Sequence, residues 1–344
     1  MASERLFKDI PPFPSNIPTA AISTLSLPTL RSGDTGTAHT LLTSAQELGL
    51  FRLDLHGDEV GEKLIEDIDS LFEASKVIMN LPPDVKNQYL HDPPRSFLGF
   101  KPRGASKIET MEPDRFEWFN IGQDGLTGSA PLQPLPEFMM EDLALFVSFL
   151  ENSHDIIQLI CRVLAVQLGL PPESFNSLQV PSKPSGTVIR FLKTFALPSE
   201  DLRTSMVQHT DFGTLTLLAN VLGGLQTLAP GRSPKDQKDG AWLWVQPRPG
   251  CLIVNLGDAM AEWTGGVLRS NLHRIRYPPG EQRFLERHSV AILVRPERDS
   301  IMRNFMCKEK TDSLTAAEWE VKRFAALQHG EDHKKSTGGK TQAD

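Results

Sequence analysis

Two histidines and an aspartate stand where a chain could hold a redox-active metal. His209-Thr210-Asp211 offers an imidazole and a carboxylate two positions apart. Further along, Ser270-Asn271-Leu272-His273-Arg274 offers a second imidazole at His273. Two imidazoles and one carboxylate are the facial ligand set of mononuclear non-haem Fe(II) sites, which covers one face of the ion and leaves the other open to oxygen ligands and O2. Arg287-His288-Ser289 then follows. A permanently charged guanidinium fork with a hydroxyl two residues on can clamp a small carboxylate. The chemistry open to these residues together is oxygen activation.

The spacing sets the elements required. Residues i and i+2 of a strand face the same side. His209 and Asp211 are therefore expected to serve one ion as a pair from one short strand, and His273 from a different strand. By the same rule Arg287 and Ser289 share a face, and His288 points to the other. Taken singly, a His-x-Asp is common by chance and an Arg is more often in a surface salt bridge; the joint pattern carries the reading. His39, His56, His91, His154, His329 and His333 lack partners at such spacing and are read as structural or solvent-exposed. Zinc can also use two histidines and a carboxylate, but the helical His-Glu-x-x-His of metalloproteases is absent. The carboxylate ligand argues against a halogenase, which needs that position vacated for halide.

The elements to carry these residues are legible. Residues 1–180 read as a mostly helical region. Asp34 is placed to cap a helix reaching Leu48, closed by Gly49, with Leu50–Leu55 alternating as a strand. A second helix fits Glu59 to about Met79, stopped by Pro82-Pro83. Ser96–Asn120 reads as short strands and loops. Apolar residues from Phe146 to Leu168 recur at helical spacing, which predicts one long supporting helix from Glu137 to Leu168. From 181 to 300 the pattern becomes short β-rich runs: Thr187–Phe195, Met206–His209, Leu215–Ala219, Leu225–Leu228, Trp242–Gln246, Cys251–Asn255, His273–Tyr277 and Ser289–Val294. Such a series predicts a double-sheet jelly roll, hence an α+β fold. A C-terminal helix is expected within 301–330, over Thr315–Gln328, and a disordered tail over 331–344.

Bulk properties exclude other classes. At 344 residues the chain can bury a sizeable core. Net charge is −7, so no general attraction to nucleic acid or anionic membrane is expected. No apolar run is long enough for a membrane span, and no leader peptide is expected. Cys161, Cys251 and Cys307 are odd in number and widely spaced, which suggests buried free thiols in a reducing, cytoplasmic setting. No obligate protein partner is evident.

These motifs resemble those of the Fe(II)/2-oxoglutarate-dependent dioxygenases, in the branch that includes isopenicillin N synthase and the plant flavonoid and hormone oxygenases. The resemblance covers about residues 17–300. Its specific part is His209–Leu218, Gly224-Leu-Gln226, Val254-Asn-Leu-Gly-Asp258, His273-Arg274 and Arg287-x-Ser289; the N-terminal half matches more loosely, through Ile17-Pro18, Gly49-Leu-Phe51, His56-Gly57 and Leu81–Lys86. It implies a double-stranded β-helix (jelly roll), Fe(II) on His209, Asp211 and His273, and 2-oxoglutarate as cosubstrate with its distal carboxylate on Arg287 and Ser289. It also implies oxidation of a small organic molecule by O2, with release of succinate and CO2. Asp258 matches a family turn and is expected to be structural. Fungal secondary-metabolite enzymes, among them tropolone-forming ring expanders, belong to the same branch, so the outcomes run from hydroxylation and desaturation to radical ring expansion of an aromatic polyketide.

One departure matters. Where branch members often carry Asn-Tyr-Tyr, this chain has Leu192-Lys193-Thr194, so a common polar contact to 2-oxoglutarate is missing. In that register Arg190, Leu192 and Thr194 face inward and Lys193 outward. An inward Arg190 needs a partner: an anionic or phenolate oxygen of the substrate, or a nearby acid. Trp118, Phe195, Phe212 and Trp263 are further candidates for the pocket wall, though such aromatics are more often core. Two other readings stay open at this stage: an oxidase of the same fold that does not use 2-oxoglutarate, and a metal-free jelly-roll binding protein.

Overall fold

The computed structural model describes residues 2–93, 95–105, 113–196, 205–232, 241–307 and 314–328. Twelve strands occur among them: β1 Thr24–Ser26, β2 Leu50–Asp54, β3 Gly99–Lys101, β4 Phe116–Gly122, β5 Val188–Thr194, β6 Met206–His209, β7 Leu215–Asn220, β8 Leu225–Leu228, β9 Trp242–Trp244, β10 Cys251–Leu256, β11 His273–Ile275 and β12 Arg287–Leu293. Every strand predicted after residue 181 is present, Met206–His209 and Leu225–Leu228 with the expected bounds and the others with slightly shifted ends. The strands form a larger sheet in the order β1-β2-β10-β7-β12-β5-β4-β3 and a smaller one in the order β6-β11-β8-β9. This is the double-sheet arrangement expected. The region before residue 181 supplies both ends of the larger sheet, β1-β2 on one side and β4-β3 on the other, so a single sheet spans that boundary.

The period-two alternation of the larger sheet separates two environments. On β7, β10 and β12 one phase (Leu215, Leu217, Leu252, Val254, Val290, Ile292) packs into the main apolar core. The other phase (Thr216, Leu218, Asn255, Ser289, Ala291) faces a cleft shared with the smaller sheet. Helices cover the outer phase. Helix α1, Thr35–Glu47, begins where the Asp34 carboxylate accepts the Thr37 amide at 2.7 Å. Past its end, Gly49 adopts φ 66° and lies so close to the Arg269 carbonyl that a Cβ would sit 2.0 Å from that oxygen. Helix α2, Glu59–Asn80, is capped by Asp58 and stops before the prolines. Helix α3, Leu143–Gln167, buries Phe146, Phe149, Leu150, Ile157 and Ile160 against α2 and the sheet. The expected single helix from Glu137 is two: a turn over Glu137–Glu141, then α3. Between them Asp142 leaves the helical region at φ −103°, ψ 18°. Two further helices matter below: α4, Asp258–Trp263, and α5, Ala316–Gln328.

One smaller expectation changes. Only Cys161 is a buried thiol, and burial pushes it up to about 12; Cys251 is half-buried and Cys307 exposed. His154 is a buried core residue against Gln123. The expected tail, His329 and His333 lie outside the described residues. Among the described residues no helix is long and apolar enough to cross a membrane.

Candidate active site

The two sheets converge on an open cleft lined by residues of both, among them Leu218 and Ala291 of the larger sheet and Met206 and Ile275 of the smaller one. His209 ends β6 and His273 begins β11, and the two residues are direct partners across that antiparallel pair. Their rings lie 4.3 Å apart. Asp211 is not on the strand as expected. The strand ends at His209, and Asp211 lies two residues beyond it, just before a bend over residues 212–214. Asp211 Oδ1 lies 3.9 Å from His209 Nε2 and 4.0 Å from His273 Nε2. One donor atom from each residue falls within 4.8 Å of the others.

The hydrogen bonds behind these atoms suit a metal. His209 Nδ1 is 2.8 Å from the Val207 carbonyl and His273 Nδ1 is 3.1 Å from the Asn271 carbonyl. Each Nδ1–H must donate there, which leaves both Nε2 lone pairs facing Asp211. The Thr216 hydroxyl donates to Asp211 Oδ2 at 2.7 Å and leaves Oδ1 toward the imidazoles. Burial opposes ionisation of Asp211, but the two imidazoles and Thr216 outweigh it and hold the carboxyl below its usual range. Burial, helped by His273, pulls His209 down to about 4, so it is neutral at physiological pH. Two imidazoles and a carboxylate aimed at one point can serve as a coordination set; three such groups buried together without a ligand would be an unexplained cost.

Along the same cleft β12 places Arg287 and Ser289, with Arg287 only 1% exposed. Arg287 Nε donates to the Gly223 carbonyl at 2.8 Å and Nη1 reaches Ser289 Oγ at 3.4 Å, while Nη2 is buried with no partner among the described residues. Burial lowers this guanidinium to about 10, so it stays charged. Gly224, in the Gly-Leu-Gln run, has φ 119°, and a Cβ there would lie 3.1 Å from Arg287 Nε. The glycine keeps the arginine's channel clear. An orphaned cationic N–H in a cleft is a fitting receiver for a carboxylate. His288 points away as expected, its Nδ1 3.0 Å from Ser75 Oγ on α2.

Arg190 lines the cleft with Leu192, as the register on β5 required. Its Nε donates to Asn120 Oδ1 at 2.9 Å on the neighbouring β4, and its guanidinium stacks 4.1 Å over Trp118. Among the described residues no carboxylate lies within ion-pair distance of it. Lys193 turns outward and pairs with Glu286 at 2.9 Å. Thr194 is fully buried but does not reach the cleft wall.

Other aromatic candidates separate from the site. Trp263 is fully buried on α4, stacked on Phe175 and edge-on to Phe305, because the α4 turn carries it into the core. Phe212 packs against the same core. Phe195 sits beneath Arg103 and Lys193, away from the cleft wall. Trp118 reaches the site only through Arg190. Asp258 is buried and does not line the cleft. Thr216, Asn120 and Asn255 escaped the sequence reading. Asn255 lines the cleft with its Oδ1 buried and, among the described residues, unpartnered. Its one signal, shared with Thr216, is a polar residue in the inward phase of an otherwise apolar strand.

Comparison with known proteins gives two family matches: the 2OG-Fe(II) oxygenase superfamily over residues 185–296, and the non-haem dioxygenase in morphine synthesis N-terminal family over residues 17–138. A 2-oxoglutarate-dependent dioxygenase of Aspergillus fumigatus is 29% identical, the match covering 93% of this chain and 86% of that one. The 2-oxoglutarate-dependent dioxygenase iboH of Amanita muscaria is 36% identical over 165 residues, 47% of this chain and 77% of its own length. Among solved structures, a full-length Neurospora crassa protein in complex with alpha-KG is similar in fold, with a TM-score of 0.73 and 21% identity over 89% of this chain and 96% of that one.

Proposed function

Because this chain belongs to the 2OG-Fe(II) oxygenase superfamily, as a 2-oxoglutarate- and iron-dependent dioxygenase of a small molecule, we propose that His209, Asp211 and His273 hold the iron, that Arg287 and Ser289 hold the distal carboxylate of 2-oxoglutarate, and that Arg190 receives the substrate. The observation that carries this reading is the convergence of one donor atom from each triad residue within 4.8 Å. When bound, iron supplies O2 activation, and 2-oxoglutarate supplies two electrons as it breaks down to succinate and CO2.

The chain's own residues do the rest. The backbone bonds of His209 and His273 fix their tautomers, and Thr216 fixes the Asp211 carboxylate, so three ligands are oriented before metal arrives. Arg287 presents its free Nη2 to a carboxylate, and Ser289 adds a hydroxyl. Apolar groups such as Leu218, Leu225 and Ile275 line the rest of the cleft.

Arg190 bears on the substrate class. A largely desolvated cation held by an amide and an indole, with no carboxylate partner among the described residues, is built to accept an anionic or phenolate oxygen. The substrate proposed is therefore a small aromatic or polyketide-like acid or phenol of secondary metabolism. A net charge of −7 gives the chain no general attraction to nucleic acid. Three free cysteines suit a reducing compartment such as the cytoplasm. Hydroxylation is the default outcome. Succinate release across a panel of small acids, phenols and their methyl esters and ethers tests this: the free acids or phenols should stimulate turnover and their capped forms should not. For any hit, Arg190→Met should raise substrate KM by about 30-fold or more, the fold-change of about 2 kcal/mol, with the KM for 2-oxoglutarate unchanged. An unchanged substrate KM removes Arg190 from recognition.

A further inference from the structure

The triad does not stand on its own strands alone. Thr210, between the two ligands His209 and Asp211, is 4% exposed, and its hydroxyl donates to Asp258 Oδ2 at 3.1 Å. Asp258 also reaches the segment through the backbone: its amide donates to the Asp211 carbonyl at 2.7 Å, and the next amide, Ala259, reaches the Phe212 carbonyl at 3.2 Å. Gly257 makes the approach possible, since a Cβ there would sit 2.8 Å from the Asp211 carbonyl and closer still to that of Gly213. One residue thus grips the His-Thr-Asp segment by side chain and main chain. Asp258 is itself a buried carboxylate, 4% exposed, and needs a counter-charge. That charge is Arg323, which comes from α5 and forms an ion pair with Asp258 Oδ2.

Helix α5 has two further attachments. Arg295 Nη1 donates to Glu320 Oε2 at 3.1 Å. Phe324 packs edge-on against Phe97, ring centres 5.2 Å apart. The Phe97 carbonyl accepts from Asn120 Nδ2 at 2.7 Å, and Asn120 is the residue that orients Arg190.

We infer that Arg323 is a positioning residue for the metal site: through Asp258 and Thr210 the C-terminal helix holds the His209–Asp211 segment in its metal-binding shape. This rests on the reading of the triad as the iron site, and the test separates the two. Full-length metal-free protein is titrated with Mn(II), which binds without oxygen chemistry, and free ion is read by electron paramagnetic resonance. His273→Ala is the control and must lose Mn(II) binding; if it binds as wild type does, the iron-site reading itself fails. With that control in place, Arg323→Met and Thr210→Val are each expected to weaken Mn(II) about ten-fold, the loss typical of groups that orient metal ligands. Arg323→Lys should recover most of the affinity. The double variant should be no weaker than the worse single one, because both act through Asp258. An Arg323→Met affinity within two-fold of wild type overturns the inference, and so do losses that multiply in the double variant. If Arg323→Met does not fold, as judged by near-ultraviolet circular dichroism, Thr210→Val decides: wild-type affinity in that variant overturns the inference.

Discussion

Asp211→Asn will abolish stable metal binding and lower succinate formation at least about a thousand-fold, the rate change of about 4 kcal/mol. The substitution keeps shape and keeps the Thr216 contact to one side-chain oxygen, so it isolates charge. In wild type, Asp211 is the single anionic member of the triad, held below the usual carboxylate range by the imidazoles and Thr216 against the opposing effect of burial. A neutral amide leaves Fe(II) with two imidazoles and no charge compensation from the triad. Its NH2 can also turn toward the metal, where it offers no lone pair. The checks are Mn(II) affinity and coupled succinate assay. Wild-type metal affinity in this variant would dismantle the assignment of the triad.

Arg287→Gln is expected to raise the KM for 2-oxoglutarate by about a hundred-fold or more, since removing one partner of a buried charge pair costs about 2–5 kcal/mol. Nη2 is the group that matters, because Nε is committed to Gly223 and Nη1 to Ser289. Arg287→Lys should recover only part of the loss, as an ammonium cannot present the bidentate fork. A second readout separates binding from folding. In the absence of cosubstrate, Arg287 is a buried cation with no carboxylate partner among the described residues, so Arg287→Gln should leave the thermal midpoint of the metal-free protein unchanged or raise it. A large fall in that midpoint together with an unchanged KM for 2-oxoglutarate would make Arg287 a structural residue.

The residues that sequence reading found are those whose role depends on local period. Arg287, Ser289, Arg190 and Leu192 share the cleft because alternate strand positions share a face, and His288 and Lys193 turn away for the same reason. What depends on register between strands was hidden. Asn120 meets Arg190 across 70 positions of sequence, and no local pattern encodes which residue of β4 faces which residue of β5. Strand ends were also hidden. The His-x-Asp spacing suggested one strand, yet the chain leaves β6 at His209, because the Asp211 and Phe212 carbonyls are taken by the amides of α4 rather than by a strand partner. Aromatic side chains carried the least information. Trp263 and Trp118 look alike in sequence, and only the turn of α4 sends one into the core while β4 sets the other beneath Arg190.

The placement of the triad has a mechanical side. His209 and His273 belong to the four-stranded sheet, and the chain crosses from Asp211 straight into β7 of the eight-stranded one. An ion held by all three residues is therefore a removable staple between the two sheets. Loading it adds stability by mass action, about 2.7 kcal/mol at a hundred times Kd, and that gain should be concentrated at the seam. Amide hydrogen exchange should slow most in β6 and β11, while β1 to β3, at the far edges of the large sheet, exchange as before. Slowing spread evenly over all twelve strands would mean that the metal tightens the whole fold rather than the seam between its sheets.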